Sequence, residues 1–271
     1  MPDAAPAPTV VESVVEVPVH VRNLYGRTFD QVIKVTVFRD PGRGRGPFLV
    51  LNHGRPTRSE DLAKVPRFRY SQASRYFVGL GFVVLVPTRV GYGESGGPDV
   101  EDSGPCDGRF YEPAYAAAAD ETLAVLEAAR QWPFVDGRRG LVVGQSFGGA
   151  TAMAVAARPV PGVTAVVNFA GGGGGNPDTH PEQPCSPVRL KALFAGYGKL
   201  ARVPSLWLYS SNDRFWGPEL PKTWFAAFRE QGGVGQFVSL PPYQDNGHGI
   251  FTGNPAAWQP AFEAFVRELG F

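Results

Sequence analysis

The chain has 271 residues, 43% of them hydrophobic, enough to bury a sizeable core and an ordinary length for an α/β enzyme built as one domain. Its 26 Lys and Arg stand against 25 Asp and Glu, a net charge of +1, so no overall field favours nucleic acid or an anionic membrane and a small neutral molecule is the better partner. The longest apolar stretches, such as Phe82-Val83-Val84-Leu85-Val86, are strand-sized and far short of a membrane span.

Residues 1–9 read as a loose Pro/Ala-rich lead-in with neither a basic n-region nor an apolar h-region, so the chain as written carries no secretory signal. A trimmed exported protein and a cytosolic one would both start this way. Val10–Val19 and Gln31–Phe38, parted by Asn23, Gly26 and Asp30, read as two strands of an antiparallel start. A basic turn follows over 40–46, then an apolar strand Pro47–Leu51 that ends on Asn52-His53-Gly54-Arg55. A helix Ser71–Leu80 is closed by Gly81 and leads into the buried strand Phe82–Pro87. Behind that strand comes the glycine-dense loop Thr88 to Gly97, which lacks the Gly-Lys-Ser/Thr ending of a phosphate cradle. Glu112-Pro113 opens a long helix to about Gln131.

The run Gly140 to Gly149 breaks an apolar strand at Ser146, boxed by Gly144 and Gly148, with a helix Phe147–Arg158 behind it. Gly-x-Ser-x-Gly between strand and helix is a nucleophile elbow, a sharp turn that lifts the serine clear of the sheet. Val163–Phe169 is the next strand, followed by a polar, proline-containing excursion over 171–200 that reads as a small lid. Strand Pro204–Tyr209, helix Pro218–Gln231, strand Gly235–Leu240 and helix Ala256–Leu269 complete the chain. The last helix carries Trp258, Phe262, Phe265, Val266 and Leu269 on one apolar face, read as core. Such alternation predicts an α/β fold, a mainly parallel twisted sheet with helices on both faces.

A serine hydroxyl is a weak nucleophile until a histidine takes its proton and a carboxylate holds that imidazole in the right tautomer. On a sheet of this kind the order is Ser, then Asp or Glu, then His. Of His20, His53, His180 and His248, only His248 follows the last strand. Asp213, just past strand Pro204–Tyr209, is the first choice of acid; Asp245, three residues before His248, is the alternative, more simply a turn-former. Donors for a developing oxyanion would be the backbone N–H groups of Phe147 and Arg55, with His53 structural in the turn. Tyr92, Phe110, Tyr111, Phe215 and Trp216 suggest an apolar or aromatic substrate pocket. No cluster of metal ligands is visible, and no cofactor is expected.

The His53-Gly54-Arg55 loop, the Arg89-Val90-Gly91-Tyr92-Gly93-Glu94-Ser95 loop and the elbow, followed by Asp213 and Gly247-His248, resemble the α/β-hydrolase superfamily from about Pro47 to the end. Within it the chain looks most like the dienelactone hydrolase branch, with serine where those enzymes usually carry cysteine. The resemblance implies an α/β-hydrolase fold and Ser-based, cofactor-free hydrolysis of a small-molecule ester through an acyl-enzyme. Dienelactone-type or acyl-peptide hydrolysis are the rival activities, and a catalytically silent binding module is the rival from another class. No nucleic acid or membrane partner is expected, and the oligomeric state is left open.

The two cysteines fit neither a redox Cys-x-x-Cys nor a zinc site. Cys106 and Cys185 both lie in loops that leave the carboxyl edge of the sheet, where they can meet. A Cys106–Cys185 disulfide tying the lid would suit a periplasmic or secreted protein, and two separate thiols a cytoplasmic one.

Overall fold

The structure is a computed structural model, and it describes residues 9–271. The lead-in expected over 1–9 therefore lies, apart from Thr9, outside the described residues. The chain opens with a hairpin of β1 (Val11–Arg22) and β2 (Thr28–Arg39), paired antiparallel from Val11 opposite Arg39 to Arg22 opposite Thr28. Both strands outrun the hydrophobic runs that announced them. The extra residues His20 to Arg22 pair with Thr28 to Asp30 across the turn that the Asn23 side chain holds by accepting from the Tyr25 and Arg27 N–H groups.

Then come β3 (Gly46–Asn52), α1 (Ser71–Gly79), β4 (Val83–Thr88), α2 (Tyr111–Arg130), β5 (Val135–Gln145) and α3 (Phe147–Ala156). They are followed by β6 (Val163–Phe169), α4 (Pro187–Leu200), β7 (Ser205–Ser210), α5 (Leu220–Glu230) and β8 (Gly235–Leu240). A short α6 (Ile250–Gly253) and α7 (Gln259–Glu268) end the chain. The strands form one eight-stranded sheet in the order β1-β2-β4-β3-β5-β6-β7-β8, parallel from β4 onward, with β2 antiparallel to β4.

Alternation along each strand feeds two cores, because successive side chains point to opposite faces. Phe48 and Val50 of β3 pack on the face covered by α2 to α5, with Leu126, Met153, Phe194 and Trp224. Leu49 and Leu51 pack on the other face, with Phe77 of α1 and Trp258 and Phe262 at α7. Burying side chains of this size contributes roughly 1.5–3 kcal/mol each. The topology carries every loop of interest to one edge, the carboxyl ends of the parallel strands, where open α/β sheets bind ligands.

Two expectations are corrected here. The excursion over 171–200 is not irregular throughout: after an Asn176–His180 bridge, Pro187 opens α4, which buries Leu190, Phe194 and Tyr197. Gly196 and Gly198 hid this helix by lowering its intrinsic propensity. Gly198 is there for packing, since a Cβ would meet the Phe228 carbonyl oxygen at 2.1 Å. The closing helix is also interrupted: a 3₁₀ turn Pro255–Ala257 precedes α7, whose first turn holds Pro260, a position that needs no N–H partner.

Candidate active site

Ser146 joins β5 to α3 at φ 57 and ψ −123, a left-handed backbone that costs a non-glycine residue about 1–3 kcal/mol. The turn is over-determined by its surroundings. The Ser146 N–H donates to the Phe169 carbonyl at 2.8 Å, its own carbonyl accepts from Gly149 at 2.8 Å, and every residue of α3 is buried. The boxing glycines permit close approach: a Cβ on Gly144 would sit 1.9 Å from the Gly148 oxygen, and one on Gly148 would sit 2.2 Å from the Asn52 oxygen.

His248 follows β8 in a 3₁₀ turn, and Asp213 follows β7. Asp213 Oδ2 lies 2.8 Å from His248 Nδ1, and His248 Nε2 lies 2.9 Å from Ser146 Oγ. An ionised carboxylate only accepts, so the imidazole donates from Nδ1 and leaves Nε2 to accept from the serine hydroxyl. The other oxygen of Asp213 accepts from the Phe215 N–H at 2.8 Å and the Trp216 N–H at 3.3 Å. Phe215 stacks on the imidazole at 4.0 Å and Trp216 meets it edge-on at 5.6 Å, so the ring is confined as well as bonded. Asp245 is exposed, and the carboxylate at His248 Nδ1 is that of Asp213.

Two asparagines that the sequence did not single out tie these loops together. Asn246 Oδ1 accepts from the Arg214 N–H at 3.0 Å and the His248 N–H at 3.1 Å. Asn212 accepts from the Tyr243 N–H at 3.0 Å and donates to the Gln244 carbonyl at 2.8 Å. Asn in a loop usually marks only a turn, so neither position stands out in the sequence.

Among the described residues, neither the Phe147 nor the Arg55 N–H has an acceptor in the protein. Both residues line the cavity beside Ser146, and a Cβ on Gly54 would lie 3.1 Å from the Ser146 Cβ, so the loop after β3 runs against the serine. That loop is clamped from behind. The Arg55 guanidinium makes a two-pronged contact with Asp99, one arm at 2.9 Å, and faces Glu101 at 3.8 Å. Fully buried Glu101 also pairs with Arg89 and accepts from the Tyr92 hydroxyl. Arg89 in turn donates to the His53 carbonyl at 2.9 Å, and its N–H donates to His53 Nε2 at 3.1 Å. Burial and the Arg89 charge hold His53 well below the ordinary imidazole range, so it is a neutral strut and not a base. Nearby Glu121 accepts from the Val90 N–H at 2.8 Å, and burial together with the Glu101 charge pushes its carboxyl up to about 8.

A cavity of about 280 Å³ opens beside Ser146. Of the aromatic residues expected to line it, Tyr111, Phe215 and Trp216 do, and two do not. Tyr92 is fully buried behind the loop, its hydroxyl held by Glu101 and its ring edge-on to His53 at 4.5 Å. Phe110 is 52% exposed, turned outward at the start of α2. The rest of the wall includes polar Ser103, Arg109, Asn176 and His180 beside the glycine run Gly172 to Gly175. The Cys106–Cys185 disulfide, Cα atoms 4.8 Å apart, joins the two wall loops, and the Tyr111 hydroxyl donates to the Gly173 carbonyl at 3.1 Å. A second recess of about 260 Å³ also borders Ser146, walled by Val65, Phe68, Tyr70 and His248.

A family model described as alpha/beta hydrolase family matches residues 48–269. No curated protein matches the chain. Among solved structures the fold is similar to an alpha/beta hydrolase from Penicillium sp., at TM-score 0.66 and 14% identity, covering 96% of this chain and 100% of that one. It is similar also to a dienelactone hydrolase from Klebsiella pneumoniae, at TM-score 0.57 and 16% identity, covering 95% and 98%. An acylaminoacyl peptidase from Pyrococcus horikoshii matches at TM-score 0.61 and 12% identity over 96% of this chain. The chain spans 41% and 42% of two such peptidases, well under half their length.

Proposed function

The chain belongs to the α/β-hydrolase family and is a hydrolase of that type, and from this premise we propose that it cleaves small carboxylic esters through an acyl-enzyme on Ser146. The observation that carries the reading is the unbroken chain Asp213–His248–Ser146, at 2.8 and 2.9 Å, ending on a serine held at positive φ. Ser146 Oγ attacks the acyl carbon while neutral His248 takes its proton at Nε2, and Asp213 stabilises the imidazolium that results. The Phe147 and Arg55 N–H groups, free of acceptors in the protein, are the donors for the tetrahedral oxyanion. His248 returns the proton to the departing alkoxide, and a water molecule repeats the sequence to release the acid.

Labelling with a fluorophosphonate tests this, since only an activated serine reacts. Wild type should label at Ser146, while Ser146→Ala should not. Ser146→Ala and His248→Ala should each lose several orders of magnitude in kcat on an activated ester, and the double variant should be no worse than either, because the two act as one unit. Near-full turnover by Ser146→Ala would overturn the assignment.

A further inference from the structure

The two recesses beside Ser146 differ in chemistry, and the proton path tells which half of an ester each would hold. The leaving oxygen must take its proton from His248 Nε2, so the alcohol lies in the recess that His248 borders. Arg55, Pro56, Ser146 and Phe215 border both recesses, and beyond them this one is walled by Val65, Phe68 and Tyr70 with Gln145, a mainly apolar and aromatic surface. The acyl half then extends past Phe147 into the larger cavity, whose wall contains no Asp or Glu among the described residues.

Two guanidinium groups line that acyl cavity, and they are not equivalent. Arg55 is neutralised by Asp99 and Glu101. Arg109 has no carboxylate within ion-pair distance among the described residues; one arm donates to Ser103 Oγ at 2.9 Å, and its Nε is buried without a partner. Arg109 lines this cavity together with Tyr111, and its charge there opposes the upward push of burial on the phenol. Arg189, whose guanidinium caps the Gly108 and Arg109 carbonyls at 3.1 and 2.8 Å, adds positive charge behind the same loop. A half-buried guanidinium with unspent donors and no counter-charge is built to receive one, and a planar carboxylate matches its fork.

We propose that this cavity is an acyl subsite for an acid bearing a second, ionised carboxylate, so that the preferred substrates are monoesters of small dicarboxylic acids with apolar alcohols. The inference rests on the ester-hydrolase reading. Ser146 Oγ bonds to the ester carbon, the C–O bond to the alcohol breaks, and His248 protonates the departing oxygen. Water then displaces Ser146 from the acyl-enzyme, releasing the dicarboxylate and one proton. Arg109 grips the distant carboxylate and touches no bond that changes.

The test compares kcat/KM for monobenzyl succinate and for benzyl 4-methylpentanoate, which replaces the carboxylate by an isopropyl group of similar shape. Wild type should favour the anionic ester by on the order of 10- to 100-fold, the range expected of a hydrogen-bonded charge pair. That ratio should collapse toward 1 in Arg109→Gln and invert in Arg109→Glu. In wild type alone, added salt should lower kcat/KM for the anionic ester more steeply than for the neutral one. A wild-type ratio at or below 1, a ratio kept by Arg109→Gln, or equal salt dependence would overturn the subsite. Should Ser146 label with fluorophosphonate and the neutral ester turn over without preference, the subsite alone falls. Should neither occur, the ester-hydrolase reading falls with it.

Discussion

Glu121 should make the fold lose stability as the solution turns alkaline. Its carboxyl is pushed up to about 8 in the fold, from about 4.5 in an ordinary glutamate, by burial and by the Glu101 charge. Between those two values the folded protein holds a proton that the unfolded chain has released, so unfolding sheds a proton and stability falls as pH rises. Below about 4.5 the contribution is fully present, and above about 8 it is gone. At about 1.36 kcal/mol for each pH unit the upper limit is roughly 5 kcal/mol, and a loss on the order of 2–5 kcal/mol across the window is expected. Glu121→Gln keeps an acceptor for the Val90 N–H and removes the second carboxylate that Glu101 opposes. Urea unfolding of wild type and variant from pH 5 to pH 9 measures it. The two should differ little at pH 5, with the variant more stable by the stated amount at pH 9. A difference that does not change with pH would refute the reasoning.

Asp99→Asn should loosen the clamp on Arg55 and let its N–H drift from the oxyanion position. On an activated ester kcat should fall about 10- to 100-fold with KM nearly unchanged, whereas a raised KM at constant kcat would show that Arg55 serves binding instead. The Cys106–Cys185 bridge closes a separation of 79 residues, for which loop-closure entropy gives about 4.5 kcal/mol. Cys106→Ser with Cys185→Ser should therefore unfold at markedly lower urea, and thiol titration of unreduced, denatured wild type should find no reactive thiol; two reactive thiols would contradict the bridge.

The fold was legible because its signals are local. An apolar run, a turn and a helix start repeat along the chain, and the elbow advertises itself since no side chain fits at Gly144 or Gly148. His248 could be reached by elimination among few histidines, and Asp213 could be preferred to Asp245 because it follows a strand of its own. What escaped is what depends on partners distant in sequence. Asp99, Glu101 and Glu121 look like solvated loop and helix acids until the fold sets them against Arg55, Arg89 and the Val90 N–H. Tyr92 and Phe110 carry the same aromatic cue as Tyr111, and only the direction of each side chain separates strut, surface and wall. Helix α4 was masked by Gly198, a residue chosen by a neighbouring helix.

The paired asparagines Asn212 and Asn246 weld the loop after β7 to the loop after β8. Asp213 and His248 are consequently held together by bonds between their own two loops, while Ser146 is anchored in the buried elbow. The loop after β7 also holds the elbow's neighbours, through Trp216 Nε1 on the Ala170 carbonyl, and the proton path crosses from these loops to the elbow at the contact from His248 to Ser146. A displacement of these two loops as a unit would thus lengthen that one bond while leaving the carboxylate and imidazole in register.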